Sequence, residues 1–155
     1  MKRISLLISA GLLSLATLAQ AKIVPYASDM TDSEWTIVDV NNDGKTWAVA
    51  TGSFTGTGYD QGVKYPYHST NAANDWIISP AVTLTAGTEY KVKFWHKEGG
   101  SSFKENFSLY ASTGSTPESL AAGTLIADYN QSYTSNWTKD AYIFIPTESG
   151  DYHFG

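Results

Sequence analysis

The chain has 155 residues, with ten Lys or Arg against fifteen Asp or Glu, a formal charge of −5 and no cysteine. The missing cysteines exclude disulfide bracing, thiol nucleophiles and sulfur-based metal sites. The acidic balance, with lysines scattered singly along the sequence, argues against nucleic acid and anionic membrane as partners.

Residues 1–21 read as a targeting segment. Lys2 and Arg3 open it, an apolar run follows from Ile4 to Leu18, and Ala19-Gln20-Ala21 has the small-x-small pattern of a cleavage site. The run is short for a bilayer span, which needs about 20 residues. Cleavage there leaves residues 22–155 as a single domain with a charge of about −7.

Residues 22–34 are polar and read as irregular, and Trp35-Thr-Ile-Val38 begins the strand pattern. The next stretch, Asp39-Val-Asn-Asn-Asp-Gly-Lys-Thr-Trp47, places the side-chain oxygens of Asp39, Asn41 and Asp43 at alternate positions, with Gly44 immediately after. Alternate residues of a tightly curled loop point inward and can share a hard cation, and glycine permits the positive-φ turn that closes such a loop. Oxygen donors suit Ca²⁺, so Asp39, Asn41 and Asp43 are the candidate metal ligands. Position 12 of an EF-hand would be Ala50, and no apolar helix follows, so the loop is not an EF-hand. An Asx-rich turn that hydrogen-bonds its own backbone is the alternative reading.

Trp47-Ala-Val-Ala-Thr51 reads as a strand, and residues 52–75 as a long Gly-rich loop carrying Tyr59, Tyr65, Tyr67 and His68. Asp75-Trp-Ile-Ile-Ser-Pro80 is a short strand ended by proline, and Val82 and Leu84 lead to a turn at Ala86-Gly87. Residues 89–97 alternate, with Tyr90, Val92, Phe94 and His96 on one face and Lys91, Lys93, Trp95 and Lys97 on the other. Residues 98–103 read as a loop, and 105–111 alternate again with Phe107, Leu109 and Ala111 inward. Thr116 caps one helical turn with Pro117 at its first position. Residues 124–127, 137–145 and 151–154 complete the strands, and the pattern is that of an all-β sandwich.

Catalysis finds little support. His68, His96 and His153 form no His-x-x-x-His pair, and there is no Gly-x-Ser-x-Gly elbow. His96 reads as a packed or edge histidine, and Glu89, Glu98 and Glu105 read as solvated charge rather than a glycosidase pair. No catalytic residue is assigned. Trp47 and Trp76 read as core, and Tyr59, Tyr65, Tyr67 and Trp95 as candidate ligand-binding aromatics for a sugar or protein surface.

The loop ending at Trp47, the Asn74-Asp-Trp-Ile-Ile-Ser-Pro80 element and Glu89-Tyr-Lys-Val-Lys-Phe-Trp95 together resemble one family, and Asn106-Phe-Ser-Leu-Tyr110 and Ser149-Gly-Asp-Tyr-His-Phe-Gly155 fit the same order. They are similar to the choice-of-anchor J and cleaved-adhesin domains of secreted bacterial proteins, whose best-known relatives are the gingipain adhesin domains. The resemblance covers about residues 30 to 155. It implies a jelly-roll-like sandwich of two antiparallel sheets, akin to MAM and galactose-binding-like modules, with structural Ca²⁺ and no catalysis. Asp39, Asn41 and Asp43 match the family's acidic loop and Trp47 its tryptophan, while Asn42 stands where glycine is common. The family continues beyond the equivalent of Gly155, so the expectation is an incomplete C-terminal end and further domains in the same polypeptide. The functional expectation is a non-catalytic adhesion module of a secreted or surface protein, binding an extracellular protein or glycan. The alternative is a carbohydrate-binding module attached to a secreted hydrolase or peptidase.

Overall fold

The computed structural model describes residues 20–52, 54–99, 102 and 104–155, so all but the last two residues of the expected targeting segment lie outside the described residues. The strands are β1 (Thr36–Asp39), β2 (Ala48–Thr51), β3 (Gln61–Lys64), β4 (Asp75–Ile78), β5 (Val82–Leu84), β6 (Tyr90–His96), β7 (Glu105–Ser112), β8 (Thr124–Ser132), β9 (Thr138–Phe144) and β10 (Gly150–Phe154), with a short helix α1 (Pro117–Ala121) between β7 and β8. They form one four-stranded sheet, β5-β10-β7-β8, and three two-stranded ladders, β1-β4, β2-β3 and β6-β9. Every ladder is antiparallel, as the all-β sandwich expectation requires.

The β6-β9 ladder shows how alternation becomes packing. Its register runs unbroken from Tyr90↔Phe144 to His96↔Thr138. The even-numbered residues of β6 are half-buried, while Lys91 and Lys93 are exposed. The inward rings meet those of β7 and β8. Phe94 packs edge-on against Tyr129, His96 lies 5.4 Å from the Phe107 ring, and Phe107 and Tyr129 stack at 4.2 Å. Aromatic burial of this kind joins the two layers and is worth more than area alone, by about 0.5–1.5 kcal/mol per pair.

At the other end the core is formed by Val82, Leu84, Ala111, Phe144 and Tyr152. β10 lies between β5 and β7. It also meets the residue after β4, where the Ser79 N–H donates to the Phe154 carbonyl and the Phe154 N–H donates to the Ser79 hydroxyl. The β1-β4 ladder is thereby tied to the four-stranded sheet.

Helix α1 follows the expectation at Thr116. The Thr116 hydroxyl accepts the Ser119 N–H and the Ser119 hydroxyl accepts the Thr116 N–H, a reciprocal cap with Pro117 in the first turn. The cap holds Leu120, which is fully buried. Glycine is required at position 123, where an added Cβ would sit 2.3 Å from the Ala111 carbonyl oxygen.

Two boundaries differ from the sequence reading. β3 lies inside the stretch read as a continuous loop. Its sequence, Gln-Gly-Val-Lys, has one apolar residue and no alternation, and it forms by pairing with β2 from Ala48↔Lys64 to Thr51↔Gln61. β8 runs on past residue 127 to Ser132 because its ladder with β7 continues through Asp128 and Tyr129 and resumes at Ser132, after a bulge at Asn130 and Gln131 where Gln131 has φ of +55°. No described helix is long and apolar enough to cross a membrane.

Candidate functional site

The acidic loop leaves the end of β1. Asp39 and Asp75 are direct cross-strand partners at the end of the β1-β4 ladder, and the Val40 N–H donates to the Asn74 carbonyl just beyond. Asp39 accepts the N–H groups of Asp43 at 3.3 Å and Gly44 at 3.0 Å. Gly44 has φ of +79°, the positive-φ turn expected there. Asp43 accepts the Lys45 N–H, and that bond, offset by partial burial and helped by His68, Asn71 and Asn41, holds its carboxyl below the usual range. The Asn41 amide donates to Asp43 and to the Ala72 carbonyl.

These bonds have the form of Asx turns, yet a carboxylate oxygen that accepts one N–H keeps a second lone pair. Asp75 lies at the base of the loop. One of its oxygens accepts the Tyr65 hydroxyl at 2.8 Å, and the other is buried with no hydrogen-bond partner. Burial, then Asp75, then the charges of Asp43 and Asp39 push the Tyr65 phenol up to about 12. Three carboxylates therefore place negative potential on one phenol. Among the described residues no cluster of three or more His, Cys, Asp or Glu side chains converges tightly enough to form a cation cage on its own.

The four aromatics expected to bind ligand divide into separate places. Tyr65 belongs to the base of the acidic loop, where it also packs edge-on against Trp47. Tyr67 is 75% exposed and lines neither of the two depressions that Trp95 and Tyr59 line. Trp95 lines a cleft of about 420 Å³ with Thr55, Gly56, Lys97, Asn136 and Trp137. Tyr59 lines a shallower depression of about 350 Å³ that shares Thr55 and Gly56 with it. Trp95 and Tyr59 therefore line adjoining depressions that meet at Thr55 and Gly56, although β3, β4 and β5 lie between them in sequence.

A buried polar network was missed. Glu98, read as solvated charge, is 6% exposed. It accepts from the Thr134 N–H and hydroxyl, both at 2.6 Å, from the Ser132 hydroxyl at 2.9 Å, and pairs with His96 at 3.1 Å. Burial alone would push this carboxyl up, but the bonds from Thr134, Ser132 and His96 outweigh it and pull it down to about 2. The other His96 nitrogen faces Asp140 at 3.1 Å, and Asp140 also accepts the Tyr129 hydroxyl, which holds it below the usual range. His96 is thus the packed histidine expected, with two acids closing around it. The network ties the end of β6 to β8 and β9 and so serves the join between layers. A buried Glu next to Gly-Gly carries no sequence signal, because its donors lie 34 and 36 residues away.

The family model for the Cleaved Adhesin Domain matches residues 24–142. The chain belongs to the cleaved adhesin domain family. This adhesin domain is also similar in structure to the K1 cleaved adhesin domain of Lys-gingipain from Porphyromonas gingivalis W83, with a TM-score of 0.55 and 16% identity over 79% of this chain and 80% of that one. Identity that low establishes the shared fold only. Comparison with curated proteins gave no match. Family membership makes this adhesin domain an extracellular interaction module of the adhesion type, of a secreted or surface protein.

Proposed function

We propose that the chain is a non-catalytic adhesion domain working as part of a larger secreted or surface polypeptide, with a structural Ca²⁺ at its acidic loop. The observation that carries the adhesion reading is the family match over residues 24–142, set on a sandwich of that family's fold. Retention of the purified chain on an array of extracellular proteins and glycans, with no turnover of them, is the expected result. A folded chain that binds nothing on the array, or that cleaves a component, contradicts it.

The calcium reading is supported by the unpartnered, buried Asp75 oxygen beneath Asp39, Asn41 and Asp43. Extracellular modules hold Ca²⁺ with Kd of about 10⁻⁴–10⁻³ M, so millimolar calcium adds about 0.4–1.4 kcal/mol. At this chain length that is a rise in Tm of about 2–6 °C. Asp43→Ala and Asp75→Asn are expected to abolish the rise and Lys45→Ala to keep it. A wild-type Tm indifferent to calcium would make the loop an ordinary Asx turn.

The second reading, a carbohydrate-binding module attached to a secreted hydrolase or peptidase, is favoured by the cleft at Trp95, with indoles beside an amide and a hydroxyl.

A further inference from the structure

Lysines that are scattered in sequence come together in space. Of the eight that follow residue 21, Lys91, Lys93, Lys97 and Lys139 gather on the outer face of β6-β9. Lys91 and Lys93 alternate on β6, with Lys97 just past its end in the same phase. The register sets Lys139 opposite Trp95, and its ammonium lies 5.3 Å from the indole centroid. All four are exposed, and among the described residues none is ion-paired. Nothing described covers the face, since its cross-strand members Ala141 and Ile143 are exposed as well. Glu89 precedes β6 at the far end of the strip, and Asp60 lines the depression that adjoins the cleft.

Like charges side by side on one sheet face repel one another. Four of the eight lysines after residue 21, left without an ion pair in one row of an acidic chain, make a local positive field that an anionic partner would complement. The row runs about 20 Å from Lys91 to Lys97, with successive outward residues about 7 Å apart. It ends at the cleft that Lys97 and Trp95 share with Asn136 and Thr55. An extended polymer laid along the row would meet an ammonium at regular intervals and, at its end, an amide and a hydroxyl suited to hydroxyl groups.

We infer that this face binds a linear acidic polysaccharide, its carboxylates or sulfates on Lys91, Lys93, Lys97 and Lys139 and one sugar unit in the cleft beside Trp95 and Asn136. This deepens the adhesion reading and rests on it. Single-stranded nucleic acid fits less well, because its bases need open aromatic faces. Lys139 caps Trp95, and Trp137 is stacked on Phe54 at 4.9 Å. A lipid surface fits less well too, because the face carries no amphipathic helix to insert.

The test measures binding of the full chain to immobilised heparin, hyaluronan and dextran, to a single-stranded oligonucleotide and to vesicles containing anionic lipid. Hyaluronan carries carboxylate alone and heparin carries sulfate as well, so binding to heparin without hyaluronan assigns the contact to sulfate. Binding to at least one of these two is expected, with none to dextran and steep weakening as salt rises from about 0.05 to about 0.5 M. The combined variant Lys91→Gln, Lys93→Gln, Lys139→Gln should weaken that binding at least about tenfold, Asn136→Ala should weaken it about threefold or more, and Lys45→Gln should leave it unchanged. Thermal melts confirm that each variant is folded. The inference is overturned by binding no stronger than to dextran, by tighter binding to the oligonucleotide or the vesicles, or by a lysine variant that binds like wild type. A chain that holds an extracellular protein on the array but no acidic polysaccharide defeats this inference and leaves the adhesion reading standing.

Discussion

Glu98→Ala is expected to lower the melting temperature by about 12 °C. The carboxylate holds four hydrogen-bonding contacts, with the Thr134 N–H and hydroxyl, the Ser132 hydroxyl and His96, in a site that is 6% exposed. Alanine leaves those donors facing a void that is too buried for free hydration. Breaking such a network from one side costs about 3 kcal/mol or more. At this chain length 1 kcal/mol corresponds to about 4 °C. Glu98→Gln keeps the shape but turns an amide N–H₂ toward a donor, so it should fall between alanine and wild type. The same carboxylate sets an acid limit. Its folded pKa of about 2 lies below the ordinary 4.5, so its stabilisation is present above pH 4.5 and is lost as pH falls toward 2. Asp140 is shifted in the same direction by the Tyr129 hydroxyl and adds to the loss. Melts between pH 7 and pH 2 should show a steep fall in wild type and a shallower one in Glu98→Gln. A wild-type Tm that is flat across that window would refute the role given to Glu98.

Leu120→Ala is expected to destabilise the fold by about 3 kcal/mol, within the 2–5 typical of a buried leucine. Leu120 is the one buried residue of α1, and a Cβ added at Gly155 would come within 2.8 Å of its Cδ1. The side chain therefore plugs the space between the helix turn and the residue after β10. That space cannot collapse, because Gly123 already holds the backbone against the Ala111 carbonyl. A urea midpoint close to wild type would show that the turn is dispensable. Binding to acidic polysaccharide should survive at temperatures where the variant is folded, since the lysine row lies on β6 and β9.

Local features of this fold were legible in the sequence. The alternation of residues 89–97 assigned Lys91, Lys93, Trp95 and Lys97 to one face, and the exposed lysines of β6 agree. Thr116 followed by Pro117 announced a capped turn because both act within one helical turn. What stayed hidden depends on partners distant along the chain. β3 is a strand only because β2 lies beside it. Asp75 reads as a strand residue, and nothing local says that it faces Asp39. Lys139 looks like an isolated charge until the β6-β9 register brings it over Trp95. Glu98 looks like any acid before a Gly-rich loop until Thr134 folds back on it.

The position of β10 has a consequence in time. Synthesis delivers β5 and β7 before the strand that fills the gap between them. Until residues 150–154 arrive, each of those two strands presents a bare edge, open to any extended segment that reaches it first. Long-range insertion of this kind is slow by nature. A nascent chain of this topology therefore closes its four-stranded sheet only after residues 150–154 are made, so the last strand sets when those edges are sealed.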